Sequence, residues 1–338
     1  MKKDFGRLPD GTMASLYTIS CGKMRAEISD LGATLVRLYV PDSEGNLADV
    51  VLGFDRPEQY LASTTFMGAV VGRNANRVKN AAFVWDGKTY RLGENENGNN
   101  LHSGPDYFKD RLWQVVHQDD SSLRLRLYSP DCDQGFPGNA TITVTYRLCP
   151  GGQLQMIYEG ICNRDTVFNL TNHSYFNLAG HDKSQQAMMQ ELTLPARFFN
   201  AADGQSIPTG QLRPVNGTPM DFRTPKPIGR DIDKAYDALE LQGGYDHNFE
   251  VFTDPCAILR DPVSGRTMAV STDCPGIQFY AGNYLEGQRG KDGVCYPKRS
   301  GICLETQYYP DALNHPQWPQ PITKAGERYR SVTRLIFT

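Results

Sequence analysis

The sequence predicts an all-β protein with a few short helices, and three observations carry that reading. Segments such as Ala140–Leu148 and Leu123–Leu127 alternate apolar and polar residues at period two, the pattern of strands with one buried face. No strand–helix–strand rhythm and no fixed-period repeat occurs along the chain. Glycine and proline, 32 and 21 residues, interrupt the apolar runs as turns between many strands do. With no low-complexity linker between two zones of composition, residues 1–338 read as a single antiparallel β domain.

In chain order, Val36–Val40 is the first clear strand. Pro57–Ala62 suits one or two turns of helix. Asp86-Gly87 stands between Phe83-Val84-Trp85 and Lys88-Thr89-Tyr90, and such a pair tolerates the positive φ of a two-residue hairpin turn, which would set Phe83 opposite Tyr90. Leu123–Leu127, Ala140–Leu148 and Leu154–Ile161 follow as strands. The best helical signal is Asp231–Leu241, where Ile232, Ala235, Tyr236 and Leu239 recur at helix spacing. Ala257–Arg260, Met268–Thr272 and Ile277–Tyr280 are further strands, and Arg330–Phe337 is expected to close a sheet.

Charge and cysteine content narrow the functional classes. The net charge is -3 with a pI near 6.1, and the charges are scattered without like-signed blocks, so nucleic acid and membrane surfaces are poor partners. No apolar h-region follows the basic start, and no run of about 18 apolar residues occurs; a soluble, cytoplasmic protein is expected. Cys21, Cys132, Cys149, Cys162, Cys256, Cys274, Cys295 and Cys303 include no C-x-x-C pair and no histidine at ligand spacing. They read as free structural thiols in a reducing compartment. Nucleotide-loop, hydrolase-elbow and zincin motifs are all missing.

Three segments carry chemistry: Asn100-Leu101-His102-Ser103-Gly104, Thr171-Asn172-His173-Ser174-Tyr175-Phe176 and Glu305-Thr306-Gln307-Tyr308-Tyr309-Pro310. An imidazole and a carboxylate can give one proton and take another near neutral pH, which is what opening and closing a sugar ring requires. Singly, each has a bland reading: a loop or capping histidine at His102, a core histidine held by Asn172 or Ser174 at His173, and a structural ion pair at Glu305. Glu305 follows Ile302-Cys303-Leu304 and precedes aromatics, an arrangement that would partly desolvate a carboxylate and raise its pKa. Asp246, Asn76, Arg77 and Gln278 offer a carboxylate, amides and a guanidinium fork for sugar hydroxyls. Their ordinary alternatives are an Asx turn, a loop salt bridge and a wet strand face.

Taken together, and with Leu31-Gly32-Ala33, Gly53-Phe54, Gly72 to Val78, Asp246-His247 and Gly276 to Asn283 in order between them, these runs resemble the aldose 1-epimerases, also called galactose mutarotases. The resemblance covers nearly the whole chain. It implies a large twisted antiparallel β-sandwich, with His173 as general acid, Glu305 as general base, and His102 supporting the reacting end of the sugar. It places substrate contacts on Asn76, Arg77, Ser174, Tyr175, Asp246 and Gln278. Asn74, where a hydrophobic residue is more usual, and Ser103, where a glycine often follows the histidine, depart from the pattern and bear on substrate preference.

The implied reaction interconverts the anomers of glucose, galactose or a similar aldose and needs no cofactor, although a structural calcium or sodium ion is compatible with it. A monomer or weak dimer is expected. Glu305 is expected to keep a nearby His173 charged at neutral pH. The rival readings are a non-catalytic monosaccharide-binding or sensor protein, and a glycosidase using Glu305 and Asp246.

Overall fold

The computed structural model describes residues 1–338. Nine strands form one antiparallel sheet in the spatial order Gln114–Gln118, Ser122–Ser129, Ala140–Cys149, Gln153–Cys162, Arg328–Phe337, Thr267–Thr272, Ala257–Arg260, Glu191–Leu194, Phe222–Pro227. The alternation in the sequence sets its faces. Ile142, Val144, Tyr146 and Leu148 are buried, while Arg147 points to solvent. The last strand, Arg328–Phe337, does not close the sheet but lies at its centre, hydrogen-bonded on one edge to Gln153–Cys162 and on the other to Thr267–Thr272.

Two five-stranded antiparallel sheets complete the sandwich. One is the N-terminal meander of Lys2–Arg7, Met13–Cys21, Met24–Ser29, Leu35–Pro41 and Leu47–Asp49. The other runs Pro208–Pro214, Phe198–Ala202, Asp246–Glu250, Gly276–Tyr280, Cys303–Gln307. Ile19 and Leu38 of the first and Phe249, Ile277, Phe279 and Leu304 of the second share one hydrophobic core with Ile142 and Leu259 of the large sheet. Each such side chain contributes about 1.5–3 kcal/mol by leaving water.

Alternation has a functional result in the second of these sheets. Because Ile277, Phe279 and Leu304 face the core, their neighbours Gln278, Tyr280, Cys303 and Glu305 are turned to the opposite face. Behind Glu305, the Thr306 hydroxyl bonds the hydroxyl of Thr333 on the central strand, which ties this sheet to the large one.

The hairpin at Asp86-Gly87 forms with both residues at positive φ, 50° and 69°, and Phe83 pairs with Tyr90, their rings stacked 5.1 Å apart. Pro57–Ala62 is a helix of six residues. The helix expected over Asp231–Leu241 is only Asp237–Gln242. Its first half is drawn into turns because Asp231 binds Lys226 and Lys234, and Tyr236 takes an extended conformation at φ -149°. All eight cysteines are free thiols. No helix is long and apolar enough to cross a membrane.

Candidate active site

Three parts of the chain converge on an open cavity of about 390 Å³ whose floor is the polar face of the Asp246–Glu250, Gly276–Tyr280 and Cys303–Gln307 strands. Glu305 sits directly across from Gln278 in the strand register, and Gln278 directly across from Asn248. Gln278 Nε2 donates to Asp246 at 2.7 Å, so carboxylate and amide share one patch of floor.

The second part is the Gly72–Val78 run. Arg73 is fully buried and ties it to the large sheet, its guanidinium donating to Ser129 and to the carbonyls of Pro130, Pro137 and Gly138. The short strand Arg77–Val78 pairs with Asn100–Leu101, which brings His102 beside Asn76. The Asn76 backbone N–H donates to His102 Nδ1 at 3.1 Å, so the neutral ring carries its proton on Nε2. Ser103 locks this junction through the Asn74 backbone. The Ser103 hydroxyl accepts the Asn74 N–H and donates to the Asn74 carbonyl, both at 2.9 Å.

The third part is the Thr171–Asn172 strand and the residues after it. Asn172 anchors the segment by donating to the Gly68 carbonyl at 2.7 Å. The His173 ring then stands between Phe66 and Tyr175, with centroids 6.0 and 5.1 Å away and both nearly parallel to it. Its Nδ1 lies 3.6 Å from the Cys303 thiol and its Nε2 lies 3.8 Å from Glu305 Oε1. His102 packs against it at 5.5 Å between ring centroids.

Burial decides the charges. Desolvation pushes His173 down to about 4 and Glu305 well above the ordinary carboxylate range; Asp246 raises Glu305 further, while Arg77 opposes that rise. His102 falls well below its usual value through desolvation, then through His173 and Arg77. The expectation that Glu305 keeps His173 charged is overturned, because desolvation pulls His173 down. At 3.8 Å, without a hydrogen bond, the pair gains too little attraction to offset the cost of burying two charges. Burial thus disfavours the charged form of both groups, pushing the carboxyl of Glu305 toward holding its proton and the ring of His173 toward neutrality.

The cavity gathers His102, His173, Glu305, Asn76, Arg77, Tyr175, Asp246 and Gln278 on its walls. Ser174 is the exception. Its hydroxyl donates to Asn172 Oδ1 at 2.5 Å inside the wall, so it braces Asn172 and does not face the cavity. Tyr175 lends ring surface, its hydroxyl being spent on the Thr65 carbonyl at 3.0 Å. The loop salt bridge considered for Arg77 also exists, to Glu96, without removing Arg77 from the wall. Glu305 has no arginine partner, and its Oε2 is buried with no hydrogen bond, as is Gln278 Oε1. Unpartnered buried acceptors facing a cavity suit a ligand rich in hydroxyl donors.

Sequence reasoning missed Cys303, Phe66, Glu96 and Tyr280. Cys303 and Tyr280 were within reach, since each lies two residues from a chosen strand residue and thus on the same face. Phe66 had no such signal. One donor atom each from His102, His173 and Glu305 lie within 4.8 Å of one another, a set chemically able to ligate a divalent metal.

The aldose 1-epimerase family model matches residues 15–335. The chain is 40% identical to the galactose mutarotase of Sus scrofa over 342 residues, covering 99% of this chain and 97% of that one. It is 38% identical to the aldose 1-epimerase of Haemophilus influenzae, with 97% of both chains covered. Among solved structures, an aldose epimerase homologue from C. elegans superposes with a TM-score of 0.88 at 30% identity, over 96% of this chain and 99% of that one.

Proposed function

The chain belongs to the aldose 1-epimerase family, and from that premise we propose that it interconverts the α and β anomers of glucose, galactose or a similar aldose by acid–base opening and reclosure of the ring. The observation that carries this reading is the approach of Glu305 Oε1 to His173 Nε2, 3.8 Å, in a cavity of monosaccharide size. The two oxygens that exchange protons in this reaction are bonded to one carbon, so an acid and a base side by side reach both.

In the proposed cycle the C1 hydroxyl donates a hydrogen bond to Glu305 Oε2, the acceptor that has no partner in the protein. That bond favours the ionised carboxylate, and the ionised carboxylate favours the imidazolium of His173. Glu305 then takes the C1 hydroxyl proton while His173 Nε2–H protonates the ring oxygen, and the bond from C1 to the ring oxygen breaks to leave an aldehyde. Rotation about the C1–C2 bond presents the other carbonyl face. Reclosure reverses both transfers, so no proton, electron or group is lost. The neutral pair favoured by burial is the same pair that ring opening generates.

His102, whose Nε2–H is fixed by the Asn76 contact, supports the reacting end as a hydrogen-bond donor. Asp246, Gln278, Asn76 and Arg77 orient the remaining hydroxyls. The chemistry calls for no cofactor, because side chains supply both acid and base. A monosaccharide is the partner, the protein works as a monomer or weak dimer, and a reducing cytoplasm suits its eight free thiols.

Polarimetry of freshly dissolved α-glucose and α-galactose tests the reading: catalysed approach to the anomeric equilibrium is expected, with no sugar released from an aryl glycoside. Release of sugar would favour a glycosidase using Glu305 and Asp246. Binding without any acceleration would favour a sensor.

A further inference from the structure

Arg77 is the only lysine or arginine on the cavity wall, and its charge is already spoken for. Nε donates to Glu96 Oε2 at 2.6 Å and Nη2 donates to Glu96 Oε1 at 2.9 Å. This two-point contact uses the side edge of the guanidinium, one of the paired-donor edges that match a phosphate or carboxylate. Nη1 makes no hydrogen bond to the protein, so the end of the guanidinium keeps N–H donors for sugar hydroxyls while Glu96 offsets its charge.

Glu96 is not a remote surface partner. It lines the same cavity, with its side chain 27% exposed, and comes from the loop that leads into Asn100-Leu101-His102. Glu96, Asp246 and Glu305 set three carboxyl groups against one guanidinium. An anionic sugar entering here loses its hydration, meets no unpaired cation and faces the Glu96 carboxylate at short range.

We propose that Glu96 determines the charge class of the substrate, holding the side edge of Arg77 and offsetting its charge so that the cavity admits neutral aldoses and rejects sugars bearing a phosphate or carboxylate. This rests on the anomerase reading of the cavity. Specificity here is built by exclusion: the same arginine that binds an anion in another setting is occupied in advance by a fixed carboxylate. The Arg77–Glu96 pair thus acts as a positioning device for Arg77 and a barrier to anions.

The test compares kcat/KM for anomerisation of glucose, glucose 6-phosphate and glucuronate in the wild type, Glu96→Gln and Glu96→Ala. In the wild type both anionic sugars are expected to be at least tenfold poorer than glucose. In each variant the ratio of anionic to neutral kcat/KM should rise at least tenfold, and the rise should vanish when Arg77→Gln is added. The proposal is overturned if the wild type handles glucose 6-phosphate and glucuronate within threefold of glucose, a result that needs no variant to fold. It is also overturned if the folded variants leave the ratio unchanged, or if the gain persists without Arg77. If the wild type accelerates no sugar at all, the anomerase reading itself fails, and the two failures are distinguished.

Discussion

Gln278 and Glu305 are direct register partners on adjacent strands, so the amide that holds Asp246 and the carboxylate beside His173 stand on one rigid sheet. A sheet positions groups more tightly than a loop, and the ladder from Gly276–Gln307 to Tyr280–Cys303 fixes the register of the two strands. Replacing Glu305 with Gln keeps the shape and removes the base. Turnover should fall at least about a hundredfold while monosaccharide affinity stays near that of the wild type. Polarimetry and calorimetric titration check the two halves; near-normal turnover would remove Glu305 from the mechanism.

The buried pair sets the pH profile. Because desolvation lowers His173 to about 4, its ring takes up a proton in the free enzyme only near that value. kcat/KM should therefore hold steady through pH 6.5, where an ordinary histidine titrates, and decline only as the pH nears 4. An acid limb centred near 6.5 would contradict this. Nitrogen NMR of His173 at pH 7 should show a neutral ring in the free protein and a shift toward imidazolium when sugar saturates the site.

Cys303 touches the far side of the same imidazole. Burial keeps its thiol protonated, and S–H can donate to His173 Nδ1 at 3.6 Å, leaving the neutral ring's proton on Nε2 toward the cavity. Cys303→Ala should lower kcat about fivefold, the worth of a roughly 1 kcal/mol hydrogen bond, with little change in KM. Cys303→Ser should restore part of the loss. Unchanged kcat and an unchanged tautomer by NMR in the alanine variant would dismiss the contact as incidental.

Acid should also unfold the protein early. His173 and His247 are both held near 4 by burial, against about 6.5 when unfolded. A depressed folded pKa means the unfolded chain binds protons first, so this stability is full above 6.5 and lost as the pH falls toward 4, on the order of 3 kcal/mol for each residue. Melting temperature against pH should slope steeply in that window. Replacing His247 with Asn should flatten the slope if the variant folds.

Arg73 gives a test of the scaffold. Arg73→Met strands several buried carbonyls that its guanidinium now satisfies, and should cost at least about 3 kcal/mol. Urea unfolding measures this directly; a loss below about 1 kcal/mol would show that the loop is held otherwise.

The strands and their faces were legible because alternation is a local signal: Ala140–Leu148 reads correctly from its own residues, and Asp86-Gly87 announces its hairpin. The chemistry-bearing histidines and Glu305 were legible through their runs. What the sequence concealed depends on neighbours far along the chain. The charge states of His173 and Glu305 follow from burial on every side, which no local pattern reports. Ser174 adjoins a cavity residue yet points into the wall, because the chain leaves the Thr171–Asn172 strand there and Asn172 claims the hydroxyl. The pairing of Glu96 with Arg77 spans 19 residues and a hairpin. Asp231–Leu241 misled because its helical spacing was real, but Asp231 finds lysine partners that hold it in a turn.

Glu305 is flanked on its strand by Leu304 in the core and Thr306 against the central strand. Sliding that strand by a single position would therefore drive an acid into hydrocarbon and leave leucine or threonine above the bound sugar. The reaction thus depends on a translational alignment as well as on particular groups. A lesion in a distant turn that shifts this alignment would abolish catalysis while circular dichroism still reported a sound β protein.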